Sequence, residues 1–317
     1  MNKLWWLLPV AALIAYLPKI AETPLGKPLF VKTLEIGTHS KLKIETLSLS
    51  WRGPQIMHNI RWTHGTIGTL QINAPFWSFS GPFQIDNGSM NYQGVRIETD
   101  LKGVLTRRAI TLDEPLIAQL QVPEALNPVT LRIEPQGFAF PLPYSLKKCK
   151  VGRAALDLGK IQLRNDQPLA ALGSFLKTGA RFNSPIWFTP VALRLDEGIL
   201  SLGRIDALVA NTIHVCAWGQ IDLIKDRLDI TIGIPADTLA KSFGITNVPS
   251  QYVLTMPLRG SIQKPDLKTG PAIATIAALL SAEEIPKKGV LGGVAKIVTR
   301  PPVDPDIPPP KRPFPWE

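Results

Sequence analysis

The stretch that decides the fold reads Leu228-Asp229-Ile230-Thr231-Ile232-Gly233-Ile234. Its apolar residues stand at every second position, an alternation that places all of them on one face of a β-strand. The same period of two recurs at other places between residues 28 and 270, as in the apolar sets Val191, Leu193 and Leu195; Leu47 and Leu49; and Ile110 and Leu112. The pattern predicts antiparallel strands that each have one apolar and one polar face.

Short turn sequences separate the alternating stretches. Asn87-Gly88, Glu197-Gly198 and Lys225-Asp226-Arg227 are typical of tight connections between antiparallel strands. Helical patterns are few, and residues 167–177 and 271–282 carry apolar residues at helical spacing. We therefore predict a mainly β fold: an elongated, twisted antiparallel sheet, open or curled into a trough, with a few short helices and an N-terminal membrane helix.

A glycine followed by a hairpin recurs three times along the chain, at Gly103, Gly219 and Gly260. The first two lie downstream of similar stretches, 83–90 and 193–200, which both read as a strand, an acidic glycine turn and a second strand. Repetition of one hairpin unit would indicate a sheet that grows by stacking. The alternative is that unrelated antiparallel hairpins share the same turn chemistry.

The N-terminus has the pattern of a targeting or anchoring segment. Residues 4–17 carry no charge and are bracketed by Lys3 and Lys19, as in a secretory signal or a signal anchor. The run is shorter than the ~20 residues that span a bilayer comfortably. We expect residues 1–22 to form an uncleaved anchor rather than a removed signal, and a buried core helix is the remaining interpretation.

Composition and charge limit the partners and suggest boundaries. The net charge is +10, but the basic residues are scattered, so we expect no nucleic-acid partner. Residues 301–317 contain eight prolines, which predicts an extended or disordered tail. The predicted regions are an anchor or signal (1–22), an N-terminal β region (23–150), a second β region (151–270), a helical segment (271–300) and the Pro-rich tail (301–317).

The sequence carries no motif for catalysis or for a metal. It has no P-loop, no G-x-S-x-G, no H-E-x-x-H and no G-x-G. We interpret the histidines as polar-face residues, and of these only His58 and His64 are close enough to share a face. We expect no enzyme activity, cofactor or metal. Cys149 and Cys216 either pair in an oxidising compartment or remain free thiols.

Several motifs in the second half of the chain are shared with a known family. They are Asp196-Glu197-Gly198, Gly219-Gln220-Ile221-Asp222-Leu223, Leu228-Asp229-Ile230 and Pro257-Leu258-Arg259-Gly260-Ser261-Ile262 followed by Pro265. Through them, residues 150–270 resemble the C-terminal region of AsmA-like proteins, in which an N-terminal membrane anchor precedes a long, curved β-sheet. The resemblance implies anchoring in the inner membrane, a periplasmic groove, and a link to lipid transport and outer-membrane biogenesis in Gram-negative bacteria.

An apolar sheet face that no second layer covers can be covered by acyl chains. The candidate groove residues are Leu228, Ile230, Ile232 and Ile234. We therefore expect a membrane-tethered periplasmic protein whose apolar β-groove handles membrane lipid or assists outer-membrane assembly. The alternative is a structural or adaptor protein of the envelope, whose packed sheet binds another envelope protein through a sheet edge or through the Pro-rich tail.

Overall fold

The computed structural model describes residues 16–38, 41–78, 80–92, 94–123, 125–162, 185–209, 211–283 and 304–317. Strands make up 50% of the structure and pair antiparallel, which confirms the mainly β fold with short helices. The chain divides into two compact units. Unit 1 comprises Met1–Pro123 and Thr130–Gly152, and unit 2 comprises Glu124–Val129 and Arg153–Glu317.

Unit 1 is built from a row of antiparallel strands that follow one another in sequence. Strands β2 to β6 pair in order, β6 pairs with both β7 and β8, β1 joins β3, and β10 joins β7. The strands are β1 (Leu42–Lys43), β2 (Thr46–Ser48), β3 (Gln55–Trp62), β4 (Gly65–Ile72), β5 (Gly81–Tyr92), β6 (Val95–Leu105), β7 (Ala109–Leu112), β8 (Leu116–Gln121), β9 (Val129–Ile133) and β10 (Phe140–Pro141).

Helix α1 (Gly26–Thr38) contacts β1 of this sheet. It follows a helical stretch at residues 16–22, and its start is fixed by Thr23, whose hydroxyl accepts a hydrogen bond from the Gly26 N–H at 3.1 Å. Phe30, Val31 and Leu34 of α1 pack against a buried apolar cluster. That cluster consists of Ala21, Ile44, Leu47, Leu49, Met57 and Ile60.

Unit 2 contains the longer run of regular hairpins. Strands β14 to β19 pair in sequence order, and β13 pairs with both β12 and β15. The strands are β11 (Val151–Asp157), which begins in unit 1, β12 (Lys160–Gln162), β13 (Pro185–Phe188), β14 (Val191–Asp196), β15 (Ile199–Val209), β16 (Ile213–Asp222), β17 (Arg227–Pro235), β18 (Val253–Gly260) and β19 (Pro265–Leu267).

Two helices close one end of the unit 2 sheet. Helix α2 (Ala236–Phe243) packs on β16 and β17, and α3 (Gly270–Glu283) packs on β18. α2 ends at Gly244, whose φ of 75° is the left-handed conformation that glycine adopts without strain. The core between helices and sheet includes Val215, Ile234, Leu239, Leu254, Met256 and Ile276. The expected helix over 271–282 corresponds to α3, and the one over 167–177 lies outside the described residues.

The interpretation of Asn87-Gly88 as a turn is wrong. Both residues lie inside β5, where the pairing with β6 shifts register between Ile85 and Gly88. Asn87 adopts φ of 55°, and its N–H donates to the Asp100 carboxylate at 2.7 Å, so the irregularity is absorbed as a bulge. Glu197-Gly198, in contrast, joins β14 to β15 with positive φ at both residues, as a two-residue hairpin requires.

The predicted membrane segment, residues 1–22, falls mostly outside the described residues. Among the helices that the structure does describe, none has the length and apolarity needed to cross a bilayer.

Candidate functional site

Strands β14 to β19 carry two apolar rows on one face, which we call the apolar band. Directly paired residues project to the same side of a sheet, and five strand spacings of ~4.8 Å make the band roughly 24 Å wide. Row 1 contains Leu193, Leu202, Gly219, Ile230, Leu258 and Leu267, and row 2 contains Leu195, Leu200, Ile221, Leu228, Gly260 and Pro265.

The four candidate groove residues divide between this band and the closed core. Leu228 and Ile230 lie in the band, where each is buried at 7% exposure, beside partly exposed leucines such as Leu202. Ile234 is completely buried within the core formed with α2 and α3, and Ile232 packs against that core. The two helices therefore cover one end of the face, and the band adjoins that core, against which Leu267 of row 1 packs.

The other face of β15 and β16 carries an ionic cluster in which Arg204, Asp206 and His214 are buried, and Asp237 of α2 joins them from an exposed position. Arg204 donates from Nε and Nη2 to the Asp206 carboxylate at 2.7–3.1 Å. His214 Nε2 lies 2.9 Å from Asp206 Oδ1. Asp237 comes from the first turn of α2, and its Oδ1 lies 3.6 Å from His214 Nδ1, a distance that makes an ion pair rather than a hydrogen bond.

Burial makes these contacts consequential, because a charge removed from water is costly unless it is paired. Asp206 is only 1% exposed, and Arg204 and His214 are also buried. Two buried threonines accept hydrogen bonds from the backbone N–H groups of Asp206 and His214. Thr189 Oγ1 accepts the Asp206 N–H at 2.8 Å, and Thr238 Oγ1 accepts the His214 N–H at 3.0 Å.

The cluster stabilises its charged forms. Burial alone would raise the pKa of Asp206, but hydrogen bonds from His214 and Arg204 outweigh it and hold that pKa below its usual value. Burial alone would lower the pKa of His214, but Asp206 and Asp237 outweigh it and raise that pKa. The geometry therefore favours an imidazolium between two carboxylates. Both of its ring nitrogens face a carboxylate, so neither is open to a substrate.

Residues 304–317 pack over the ionic cluster. Arg204 Nη1 donates to the carbonyl of Pro308 at 2.8 Å. The buried ring of Phe314 meets the His214 ring edge-on at 4.9 Å between centroids, and Trp316 stacks on Phe314 at 4.9 Å. Where the sequence predicted an extended or disordered tail, this described part contains no helix or strand and lies against β15 and β16 within unit 2.

Both cysteines are buried free thiols. Cys216 of β16 contacts the Gly233 carbonyl at 3.6 Å, and burial raises its pKa to about 12. Burial also raises the pKa of Cys149. Because the thiolate is the reactive form, neither residue is an activated nucleophile at neutral pH.

The other polar candidates do not converge within the described residues. His58 Nδ1 lies 3.1 Å from Thr69 Oγ1 on the neighbouring strand, and His64 is exposed. Glu114 forms an exposed ion pair with Lys102 at 3.2 Å. In the part of the chain that the structure describes, no three His, Cys, Asp or Glu side chains are placed to hold a metal ion.

No family model, curated protein or solved structure matches this chain. The AsmA-like resemblance therefore stays a prediction, and a function has to be argued from the apolar band and the ionic cluster themselves.

Sequence reasoning finds part of the band and misses the ionic cluster. The interpretation of His214 as a polar-face histidine overlooks its partners, which come from β15, α2 and the tail. One signal was available: Arg204 and Asp206 stand two positions apart in the otherwise uncharged and mostly apolar strand β15. Two opposite charges on one face of such a strand point to a buried pair.

Proposed function

We propose that the protein is tethered to a membrane and handles lipid acyl chains on the apolar band of unit 2. The observation that carries the proposal is the band itself, two rows of mostly large aliphatic side chains in register across six strands, several of them partly exposed. Contiguous apolar surface of this kind marks binding sites for apolar ligands or partners. The AsmA-like resemblance supports a periplasmic location and a part in lipid transport or outer-membrane assembly.

The physical basis of binding is apolar area. Each methylene that leaves water for the band contributes roughly 0.8 kcal/mol. Gly219 stands between Leu202 and Ile230 in row 1 and adds no side chain to the apolar surface there. Because this attraction does not depend on the head group, we expect the band to accept acyl chains from several lipid classes.

A photo-crosslinking experiment tests the band. A benzophenone amino acid replaces Leu202, a partly exposed residue of row 1, in the full chain expressed in a Gram-negative envelope. The matched control is Leu208, also half-buried on β15 but paired with His214 on the opposite face. We expect lipid adducts at position 202 and none at 208, measured by mass spectrometry. Equal adduct yields at the two positions, or none at 202, would refute the proposal.

The second candidate is an adaptor that binds another envelope protein through the tail. Its support is that Phe314 and Trp316 pack into a defined site within the chain, so the tail carries an aromatic recognition sequence. A sheet edge is less suited, since β19 has three residues and begins with Pro265, which lacks an N–H for strand addition. A benzophenone at position 316 separates the two cases: it crosslinks to unit 2 if the tail stays docked, and to another protein if the tail is an adaptor.

A further inference from the structure

Helix α1 and the turn before it expose an apolar stripe to solvent. Leu25, Leu29 and Ile36 are 86%, 70% and 69% exposed. At 3.6 residues per turn, Leu29, Lys32 and Ile36 fall within an arc of about 60° on the helix, and Leu25 lies in the turn just before it. The other side of the helix, with Phe30, Val31 and Leu34, packs into unit 1. The helix therefore has two apolar sides, of which one is packed in unit 1 and the other is exposed to solvent.

The acidic side chains near the stripe are bonded within the fold, whereas a basic side chain is exposed. The acidic residues of the segment 16–38 are Glu22 and Glu35, and both are engaged by the fold. Glu22 accepts the Leu49 N–H and pairs with Lys19, and Glu35 accepts the Leu42 N–H at 2.8 Å. Lys32, in contrast, is exposed within the stripe. The solvent side of this described segment thus presents apolar and basic groups.

We propose that α1 lies in the interface of an anionic membrane, with Leu25, Leu29 and Ile36 among the acyl chains and Lys32 at the phosphates. An apolar stripe with basic residues is the composition that interfacial helices require, and each lysine near an anionic surface adds to the attraction. The proposal rests on the membrane location in the proposed function and is independent of lipid binding to the apolar band.

Two observations favour a lipid surface over a second copy of the chain. Tyr16, Leu17 and Ile20 of the preceding helical stretch are also exposed, and Tyr16 and Leu17 end the uncharged run 4–17. In a two-fold contact, stripe against stripe, Lys32 of each copy would approach its counterpart. The two lysines would repel each other in that contact, whereas the phosphates of an anionic membrane would attract Lys32.

Spin labels measure the depth of the stripe. Single variants Leu29→Cys and Ile36→Cys of the full chain are labelled with a nitroxide and reconstituted in vesicles of phosphatidylethanolamine and phosphatidylglycerol. The native thiols are buried, and the unsubstituted chain gives the labelling background. The matched control is Ile117→Cys, an exposed isoleucine of β8 in the same unit.

We expect the labels at 29 and 36 to lie about 5–10 Å below the phosphates. They should collide often with oxygen and rarely with an aqueous nickel chelate, while the label at 117 does the reverse. Nickel collision rates at 29 and 36 equal to that at 117 would overturn the proposal. So would immobilisation of these labels that grows with protein concentration, because that result indicates a second copy.

A charge variant tests the anionic requirement. Lys32→Gln removes one exposed cation and leaves the apolar stripe, so the ratio of lipid-buried to water-exposed label at position 29 should fall about fivefold. Vesicles of phosphatidylcholine alone should give a similar fall, and an unchanged ratio in both would refute a role for anionic lipid. If labels 29 and 36 are buried in lipid while position 202 gives no lipid adduct, the acyl-chain function fails and this inference stands.

Discussion

His214 lies between carboxylates from β15 and α2 and beneath aromatic rings from the tail. The charged and titratable groups around it are Asp206 and Arg204 on β15, Cys216 on β16, Asp237 and Lys241 on α2, and Arg312 and Glu317 in the tail. The two carboxylates nearest to the ring decide its charge. They make the free energy of unfolding of unit 2 dependent on whether this one imidazole holds its second proton.

Unit 2 should therefore lose stability as pH rises through the folded pKa of His214. That pKa is raised, so its contribution is fully present below the unfolded value of about 6.5 and is lost at higher pH. Asp206 and Asp237, with lowered pKa values, stay ionised over this window. Thermal unfolding of the native chain and His214→Gln measures the effect. The difference in Tm should be largest at the acidic end, and a difference that increases with pH would contradict this assignment.

Asp206→Asn should be strongly destabilising. The amide keeps the shape of the side chain but leaves Arg204 and His214 without their shared anion in a buried site, a loss of about 3–5 kcal/mol. The control is Asp229→Asn, because Asp229 pairs with Arg259 at 2.8 Å in an exposed position, where a pair is worth about 1 kcal/mol or less. Urea unfolding compares the two variants. Equal losses would mean that burial does not decide the energetics of the cluster.

At the level of secondary-structure elements, the three glycine-led hairpins share a close approach to the backbone of the next strand. Gly103, Gly219 and Gly260 pair with Leu112, Ile230 and Pro265 on the next strand. In each case a Cβ on the glycine would overlap the carbonyl oxygen of the residue just before that partner: Thr111, Asp229 and Lys264. The same approach occurs at Gly65, which pairs with Met90 and lies against the Ser89 carbonyl, so the contact is common to antiparallel hairpins of this chain and the repeat stays a prediction.

Gly219→Ala should destabilise unit 2 by more than about 1 kcal/mol, because its φ of 141° and the Asp229 carbonyl leave no room for a side chain. Gly270→Ala is the matched control, since a Cβ there meets nothing within 4 Å. It should be neutral or slightly stabilising at the start of α3. Chemical denaturation gives both values. A Gly219→Ala variant as stable as Gly270→Ala would show that the close approach is not required.

The strands could be predicted from sequence, whereas their connections only partly could. Alternation over 228–234 places Leu228, Ile230, Ile232 and Ile234 on one face, as β17 does. It cannot say what covers that face, and α2 and α3 enclose only the end containing Ile234. Asn87-Gly88 and Glu197-Gly198 carry similar turn signals, yet the first became a bulge. A positive φ at Asn serves either purpose, and the pairing of the flanking strands decides between them.

For the whole molecule, the least predictable contact is the one between the tail and unit 2. Arg204 and Pro308 are 104 residues apart, and no local pattern links them. Proline-rich composition correctly excludes regular structure over 304–317 but carries no information on docking. The aromatic ring of Phe314 indicates the docking, because burying an aromatic side chain against a partner surface is favourable.

Phe314→Ala should release the tail from the ionic cluster. Loss of the ring removes the packing against His214, and the amide protons of Asp306, Ile307, Phe314 and Glu317, which donate hydrogen bonds within the tail, should exchange faster with solvent. Hydrogen exchange followed by mass spectrometry measures this. Lys311→Ala, at an exposed tail position, should leave exchange unchanged. Unchanged protection in Phe314→Ala would show that the tail is held by other contacts.

The distance in sequence between β15 and the tail also sets an order of events during synthesis. A ribosome adds about 5–20 residues per second, so Pro308 follows Arg204 after roughly 5–20 s. Through that interval β15 and β16 can pair, but Arg204 and His214 remain in water without their cover. Docking of the tail is therefore the step that removes water from the charged site, and it cannot precede the synthesis of Pro308.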